Sequence, residues 1–241
     1  MRPDLERKVA DLERLLARVA LEHSPAALAS SLSAEDMVIT DAILRRKLDI
    51  EIFTLDTGRL HADTLNVIAA IRERYGYAVR VFQPDPTAVA EYVAKFGRDA
   101  FYESVDLRKR CCHLRKVEPL ERALNGKEAW ITGQRRAQGA TRAGLELREY
   151  DAPHGIAKFN PLADWSEEEV WEAIHDLGVP YNALHDQGYR SIGCAPCTRP
   201  TVTGEEVRAG RWWWEIKEAQ ECGLHVAPDG RLTRSRTEAV T

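Results

Sequence analysis

Short apolar runs alternate with stretches of helical spacing along most of this chain, and several of the runs end in Gly, Ser or Asp. Residues 26–32 read as a strand of small and apolar side chains. Ser33 follows, with Asp36 three positions on. That is a Ser-x-x-Asp helix start, and helical spacing then continues to about residue 47. Residues 50–55 read as a second strand closed by Asp56, Thr57 and Gly58, with a helix over 61–75. A third strand over 78–82 is closed by Pro84 and Pro86. Helices are expected over 87–96 and 114–124, and a short strand over 129–132 enters Gly133. Strands and helices alternating at these lengths predict an α/β domain, a mostly parallel sheet with helices on both faces. Ligands in such sheets sit at the carboxyl ends of strands. Here those ends carry residues 31–33, residues 56–58 and Gly133.

The flanks are less regular. Leu5, Val9, Leu12, Leu15, Leu16 and Val19 have helical spacing. They fit a helix packed on the core, or a dimer helix, since the seam is nearly heptad-spaced. Residues 166–177 read as a helix with Ser166 and Glu169 as its capping box. After Tyr181 the chain becomes loop-rich, punctuated by Gly188, Gly193, Pro196, Pro200 and Gly204. Trp212, Trp213 and Trp214 suggest a short amphipathic segment packed on the body. The organisation expected is one domain over 1–225, N-terminal helix included, and a mobile tail over 226–241.

Charge and cysteine usage narrow the function classes. The net charge is −4, from 34 basic and 38 acidic side chains. A general nucleic-acid binder would carry a basic excess, so any anionic partner must be met by a local basic cluster. The longest unbroken apolar run is Val67 to Ile71, far short of the roughly 18 residues a membrane span needs. No charged and then apolar leader opens the sequence. The expectation is a cytoplasmic protein with reduced thiols, no membrane and no nucleic acid. Five cysteines also fit poorly with a closed disulfide framework, which leaves metal binding or thiol chemistry.

The cysteines fall as two, two and one. Cys111 and Cys112 are adjacent, Cys194 and Cys197 form Cys-Ala-Pro-Cys, and Cys222 stands alone. Four thiolates can hold zinc or an iron–sulfur cluster. Neighbouring side chains diverge, and irons several ångströms apart tolerate that divergence better than one tetrahedral ion does. Spacing therefore favours iron–sulfur over zinc. Cys111 and Cys112 sit among Arg108, Lys109, Arg110, Arg115 and Lys116, a setting expected to lower thiol pKa values. Cys222 has Arg208 and Arg211 upstream and His225 three residues on. A cation nearby would favour a thiolate nucleophile.

Further basic residues stand beside these features. Arg135 and Arg136 follow Gly133, Arg142 follows Thr141, and Arg199 follows the Cys-x-x-Cys pair. With Lys116, Arg208 and Arg211 they could converge on one anionic small molecule. Arg forks suit phosphate and sulfate oxygens, and Lys supplies a point charge.

Taken together, the motifs resemble the assimilatory adenylyl-sulfate (APS) reductases of the PAPS/APS reductase family. The matching segments are Ser-Ala-Glu-Asp at 33–36, Leu-Asp-Thr-Gly at 55–58 and Cys-Cys-His-Leu-Arg-Lys-Val-Glu-Pro-Leu at 111–120. Ile-Thr-Gly-Gln-Arg-Arg at 131–136, Lys-Phe-Asn-Pro-Leu at 158–162 and Tyr-Arg-Ser-Ile-Gly-Cys-Ala-Pro-Cys-Thr-Arg-Pro at 189–200 continue the set. Residues 208–212 and 221–225 complete it. The resemblance implies an adenine-nucleotide α-hydrolase-like fold, related to the PP-loop enzymes. It implies a [4Fe–4S] cluster on Cys111, Cys112, Cys194 and Cys197, with Cys222 as the nucleophile. Lys116, Arg208 and Arg211 fall where the family binds the phosphosulfate, and Ser31, Ser33, Thr57, Gly133 and Arg142 fall in or beside its nucleotide pocket. The activity implied is thioredoxin-dependent reduction of adenosine 5′-phosphosulfate (APS) to sulfite and AMP, through an S-sulfo adduct on Cys222. Its setting would be sulfate assimilation and cysteine biosynthesis. The alternative substrate is 3′-phosphoadenosine 5′-phosphosulfate (PAPS); strict PAPS enzymes of the family lack the two cysteine pairs. Glu35 and Asp36 occupy the first turn of their helix and already complement its dipole, which assigns the sulfate end to the Lys and Arg set. The sequence also permits a homo-oligomer.

Overall fold

A computed structural model describes residues 1–215 of the chain. Six strands form one sheet in the order β3-β2-β1-β4-β6-β5. They are β1 (Ala26–Ala29), β2 (Ile50–Leu55), β3 (Arg80–Phe82), β4 (Ala129–Ile131), β5 (Arg148–Asp151) and β6 (Ile156–Phe159). All neighbours pair in parallel except β5, which runs antiparallel to β6. The expected mostly parallel sheet is therefore present, with an antiparallel edge.

Alternation along the central strands builds a core on each face. Leu28, Ile52 and Ile131 point to one side and pack with α1 (Pro3–Glu22), α2 (Ala34–Arg45), α3 (Ala62–Tyr75) and α7 (Glu167–Leu177). Ala27, Phe53 and Trp130 point to the other, against Leu120, Ala123 and Leu124 of α6 (Glu118–Leu124). Leu5, Val9, Leu12, Leu16 and Val19 of α1 are buried in the first core. Each such side chain contributes about 1.5–3 kcal/mol by leaving water. The seam that resembled a dimer helix is thus covered by the chain's own α2 and α7.

Some elements depart from the sequence reading. β5 and β6 form a hairpin that apolar periodicity does not announce, because β5 (Arg-Glu-Tyr-Asp) lies half exposed at the sheet edge. α4 (Pro86–Phe96) starts one residue before its expected bound. The helix expected from residue 114 begins earlier, as α5 (Val105–Cys112), where Ser104 Oγ accepts the Leu107 amide at 3.2 Å. A π-helical turn, His113–Val117, joins α5 to α6. Among the described residues no helix is long and apolar enough to cross a membrane. Cys222, His225 and the tail over 226–241 lie outside the described residues.

Candidate active site

β1 lies between β2 and β4, and the chain order reverses across the β1–β4 pair. Such a switch point opens a crevice at the carboxyl ends of the strands. Here that crevice is a cavity of about 210 Å³. Ser31, Ser33, Thr57, Lys116, Gly133, Arg142, Arg208 and Arg211 all line it. Phe53, Leu55, Leu120 and Trp130 give it an apolar wall. The loop after β1, the loop after β2, the π turn, the loop after β4 and the 190–212 segment each supply part of the rim. This convergence joins residues separated by up to 180 positions.

The start of α2 is held differently from the Ser-x-x-Asp pattern. Ser33 is the N-cap by position, but its side chain makes no capping bond. The Ala34 amide donates to His185 Nε2 at 3.3 Å instead. Asp36 turns back to the preceding loop, where Ser31 N and Ser31 Oγ both donate to its Oδ2 at 2.6 Å. Burial pushes the Asp36 carboxyl up to about 6, against the hydrogen bonds from Ser31 that favour its charge. Glu35 is gripped by the Arg135 guanidinium at 2.8 Å and by Gln138 Nε2 at 2.9 Å. Both carboxylates of the first turn are therefore committed to the protein. Gly133 is needed for this approach: a Cβ there would collide with Asp36 Oδ1 and come within 2.9 Å of Glu35 Cβ.

The remaining arginines divide into two groups. Arg135, Arg136 and Arg199 do not reach the cavity. Arg135 pairs with Glu35, Arg136 with Asp164, and Arg199 with Glu205 at 2.8 Å. The expectation that they join one anion site is corrected: a nearby carboxylate holds each. Arg211 does reach it. Its Nη1 donates to the Ile192 carbonyl at 3.1 Å, and its guanidinium carbon lies 4.7 Å from the Trp212 ring centre. Its Nε is buried without a hydrogen-bond partner among the described residues. Gly193 permits this placement, since a Cβ there would run into the Arg211 guanidinium. Arg190 also lines the cavity, anchored by Glu167. No local pattern marks it as a contact, although it stands inside the Tyr-Arg-Ser-Ile-Gly segment.

A second, smaller cavity adjoins the first. Cys111, Cys112, Cys194 and Cys197 line it together, with Arg59, Phe101, Arg108, Arg115, Lys116, Pro196 and Trp212. Lys116 and Trp212 border both cavities. Thr57, on the wall of the first, has its Oγ1 3.2 Å from Cys194 Sγ, and Arg115 Nη1 donates to the Thr57 carbonyl at 2.6 Å. The expectation of a lowered thiol pKa, made for the Cys111–Cys112 pair, fails at Cys111. Burial pushes Cys111 up despite Arg115, and burial with the neighbouring Cys194 pushes Cys197 up to about 12. A metal centre in this cavity would have to supply the charge that ionises these thiols.

Comparisons with known proteins fit this arrangement. The phosphoadenosine phosphosulfate reductase domain matches residues 25–200. The chain belongs to that family. A relative from Burkholderia cepacia, named adenosine 5′-phosphosulfate reductase, is 56% identical over 93% of this chain and 90% of its own length. One of the same name from Allochromatium vinosum is 55% identical over 91% and 85%. Among solved structures, a phosphoadenylyl-sulfate (PAPS) reductase from Candida auris in a phosphate complex superposes with a TM-score of 0.67. It is 26% identical and covers 83% of this chain and 98% of its own. The fold is thus the adenine-nucleotide α-hydrolase-like sheet that the family motifs implied.

Proposed function

We propose that this enzyme reduces adenosine 5′-phosphosulfate to sulfite and AMP, with thioredoxin as electron donor. The observation that carries the reading is the shared wall. A strand-end cavity with an apolar side and a basic side meets a four-cysteine cavity at Lys116 and Trp212. The apolar wall of Phe53, Leu55, Leu120 and Trp130 suits an adenine ring. The basic side, Lys116, Arg208 and Arg211, suits the phosphosulfate. Relatives above 50% identity bear the name of this activity.

In the reaction, the Cys222 thiolate attacks the sulfur of the sulfate group. A sulfur–sulfur bond forms, the bond to the bridging oxygen breaks, and AMP leaves with that electron pair. Reduced thioredoxin then attacks Cys222 Sγ and releases sulfite with two electrons. Its second thiol closes the thioredoxin disulfide and returns Cys222 as a thiol. The obstacle is repulsion between an anionic thiolate and an anionic sulfate. Lys116, Arg208 and Arg211 would offset it and stabilise the charge that develops on the leaving phosphate.

The four thiols suit a [4Fe–4S] cluster. Among the described residues no three His, Cys, Asp or Glu side chains are arranged to hold one metal ion, yet all four thiols line one cavity. Cys111 and Cys112 are adjacent and their side chains diverge, which irons several ångströms apart accommodate better than one zinc does. When bound, the cluster would supply a fixed charge beside the substrate and a brace for the loops. The cellular setting that goes with this chemistry is cytoplasmic sulfate assimilation.

The experiment is sulfite release with reduced thioredoxin, run in parallel on APS and PAPS, with iron, sulfide and zinc measured on the same sample. Sulfite from APS, with PAPS much slower, is expected. Comparable rates would make the enzyme dual in specificity. Sulfite from neither, with iron and sulfide present, would sink the reading.

A further inference from the structure

Glu215 stands seven residues before Cys222 in the sequence, and its side chain is buried. Its carboxylate accepts two hydrogen bonds from Arg108, from Nε at 2.9 Å and from Nη2 at 2.8 Å. Both side chains are almost wholly buried, at 1% and 3% exposure. Arg108 belongs to α5, three residues before Cys111, and lines the cysteine cavity. Its guanidinium carbon lies 4.8 Å from the Trp212 ring centre, while Arg211 lies 4.7 Å from the same centre. The Trp212 amide donates to the Cys197 carbonyl at 3.2 Å, and Thr198 and Arg211 form a bridge. Trp212 itself takes a left-handed backbone conformation, φ 44°, rare for a bulky side chain and held only where neighbours over-determine it.

A buried ion pair is a poor way to gain stability, because desolvation offsets the attraction. Its better-attested use is to fix register. We propose that Arg108 and Glu215 are a positioning pair: they fix the backbone at Glu215, shortly before Cys222 in the sequence, relative to α5 and the cysteine cavity. Cys222 is seven residues beyond Glu215. Seven residues reach at most about 25 Å. A thiol so near in sequence meets the substrate cavity at a high effective concentration only if the backbone before it is held in place. This inference rests on the reading of Cys222 as the nucleophile.

The test uses the full-length, cluster-loaded enzyme and reads four quantities. They are iron content, AMP affinity, the single-turnover rate of S-sulfo-Cys222 formation from saturating APS without thioredoxin, and tryptic cleavage after Lys217. Glu215→Gln is expected to keep iron and AMP affinity, to slow adduct formation on the order of 10- to 100-fold, and to quicken cleavage after Lys217. Glu215→Asp, which keeps the charge, should recover part of the rate. Should Glu215→Gln lose iron through its stranded Arg108 charge, the double variant Arg108→Met with Glu215→Leu decides, with slow adduct formation at full iron content expected. Wild-type rates in either iron-replete variant would overturn the proposal. Loss of iron in both would also overturn it, making the pair part of the centre's own structure. Absence of the adduct in the wild-type enzyme would instead strike at Cys222 as nucleophile.

Discussion

The two sides of the substrate cavity are held by different forces. On the β1–β4 side, the walls are the ends of strands whose ladders and apolar faces are already satisfied by the fold. On the cysteine side, residues 188–215 contain no strand or α-helix among the described residues. There the chain is held by short backbone contacts, by Arg199–Glu205 and Arg108–Glu215, and by aromatic packing around Trp212. Strand pairing and hydrophobic burial anchor the first side, with the Glu35–Arg135 pair and Asp36 built onto that frame. The second depends on ion pairs, and in the proposed holoenzyme on a metal centre. On the proposed reading, binding of the nucleotide and delivery of the nucleophile are therefore separable.

The sharpest separation is expected from Cys222→Ser. It should lower sulfite release on the order of 10³-fold or more while APS affinity stays within about twofold. Iron content should be unchanged. Loss of iron in that variant would show that nucleophile and cluster are not divided between separate residues, and the comparison would break.

A smaller effect probes the strand-end side through pH. In the unfolded chain the Asp36 carboxyl titrates near 3.8, whereas in the fold burial raises it to about 6. The folded state then binds more protons than the unfolded one between those values. Stability supplied by the neutral form is fully present below about pH 4 and is lost as pH rises through about 6. Asp36→Asn has no such titration. The unfolding free energy of Asp36→Asn minus that of the wild type should grow by up to about 3 kcal/mol from pH 4 to 7.5. Urea titrations across that range measure it. A flat difference would mean that the carboxylate is solvated and the first turn of α2 is looser than its hydrogen bonds indicate.

The same contrast explains what the sequence made legible. β2 spans the residues its apolar run predicts, and Ser166 and Glu169 form the capping box that their spacing predicts. Both follow from local pattern and local hydrogen bonding. The eight residues assigned to nucleotide and phosphosulfate meet at one cavity because strand ends and ordered motifs locate them. Long-range pairing is what local pattern could not supply. Nothing near Arg135 in sequence tells that Glu35, 100 positions away, would claim it. Nor does the sequence near Ser33 reveal that His185 supplies the cap. α5 escapes a periodicity reading because its charged and cysteine-rich face hides any apolar stripe. Its two deepest side chains are Arg108 and Cys112.

The smallest expected effect tests how closely the strand-end side is built. Gly133 follows β4 with no left-handed backbone to require glycine; the constraint is space, since a Cβ would press on Asp36 and Glu35. Neither neighbour can yield easily, because Asp36 is fixed by Ser31 and Glu35 by Arg135. Gly133→Ala should therefore cost about 1–3 kcal/mol, as overpacking of a closed site does. It should also weaken AMP binding through the shifted α2 start. Gly144, where a Cβ meets nothing within 4 Å, is the control, and Gly144→Ala should stay within about 0.5 kcal/mol of the wild type. Equal effects at the two positions would mean that the contact between β4 and α2 is slack. The strand-end wall would then be no more rigid than the loops across the cavity from it.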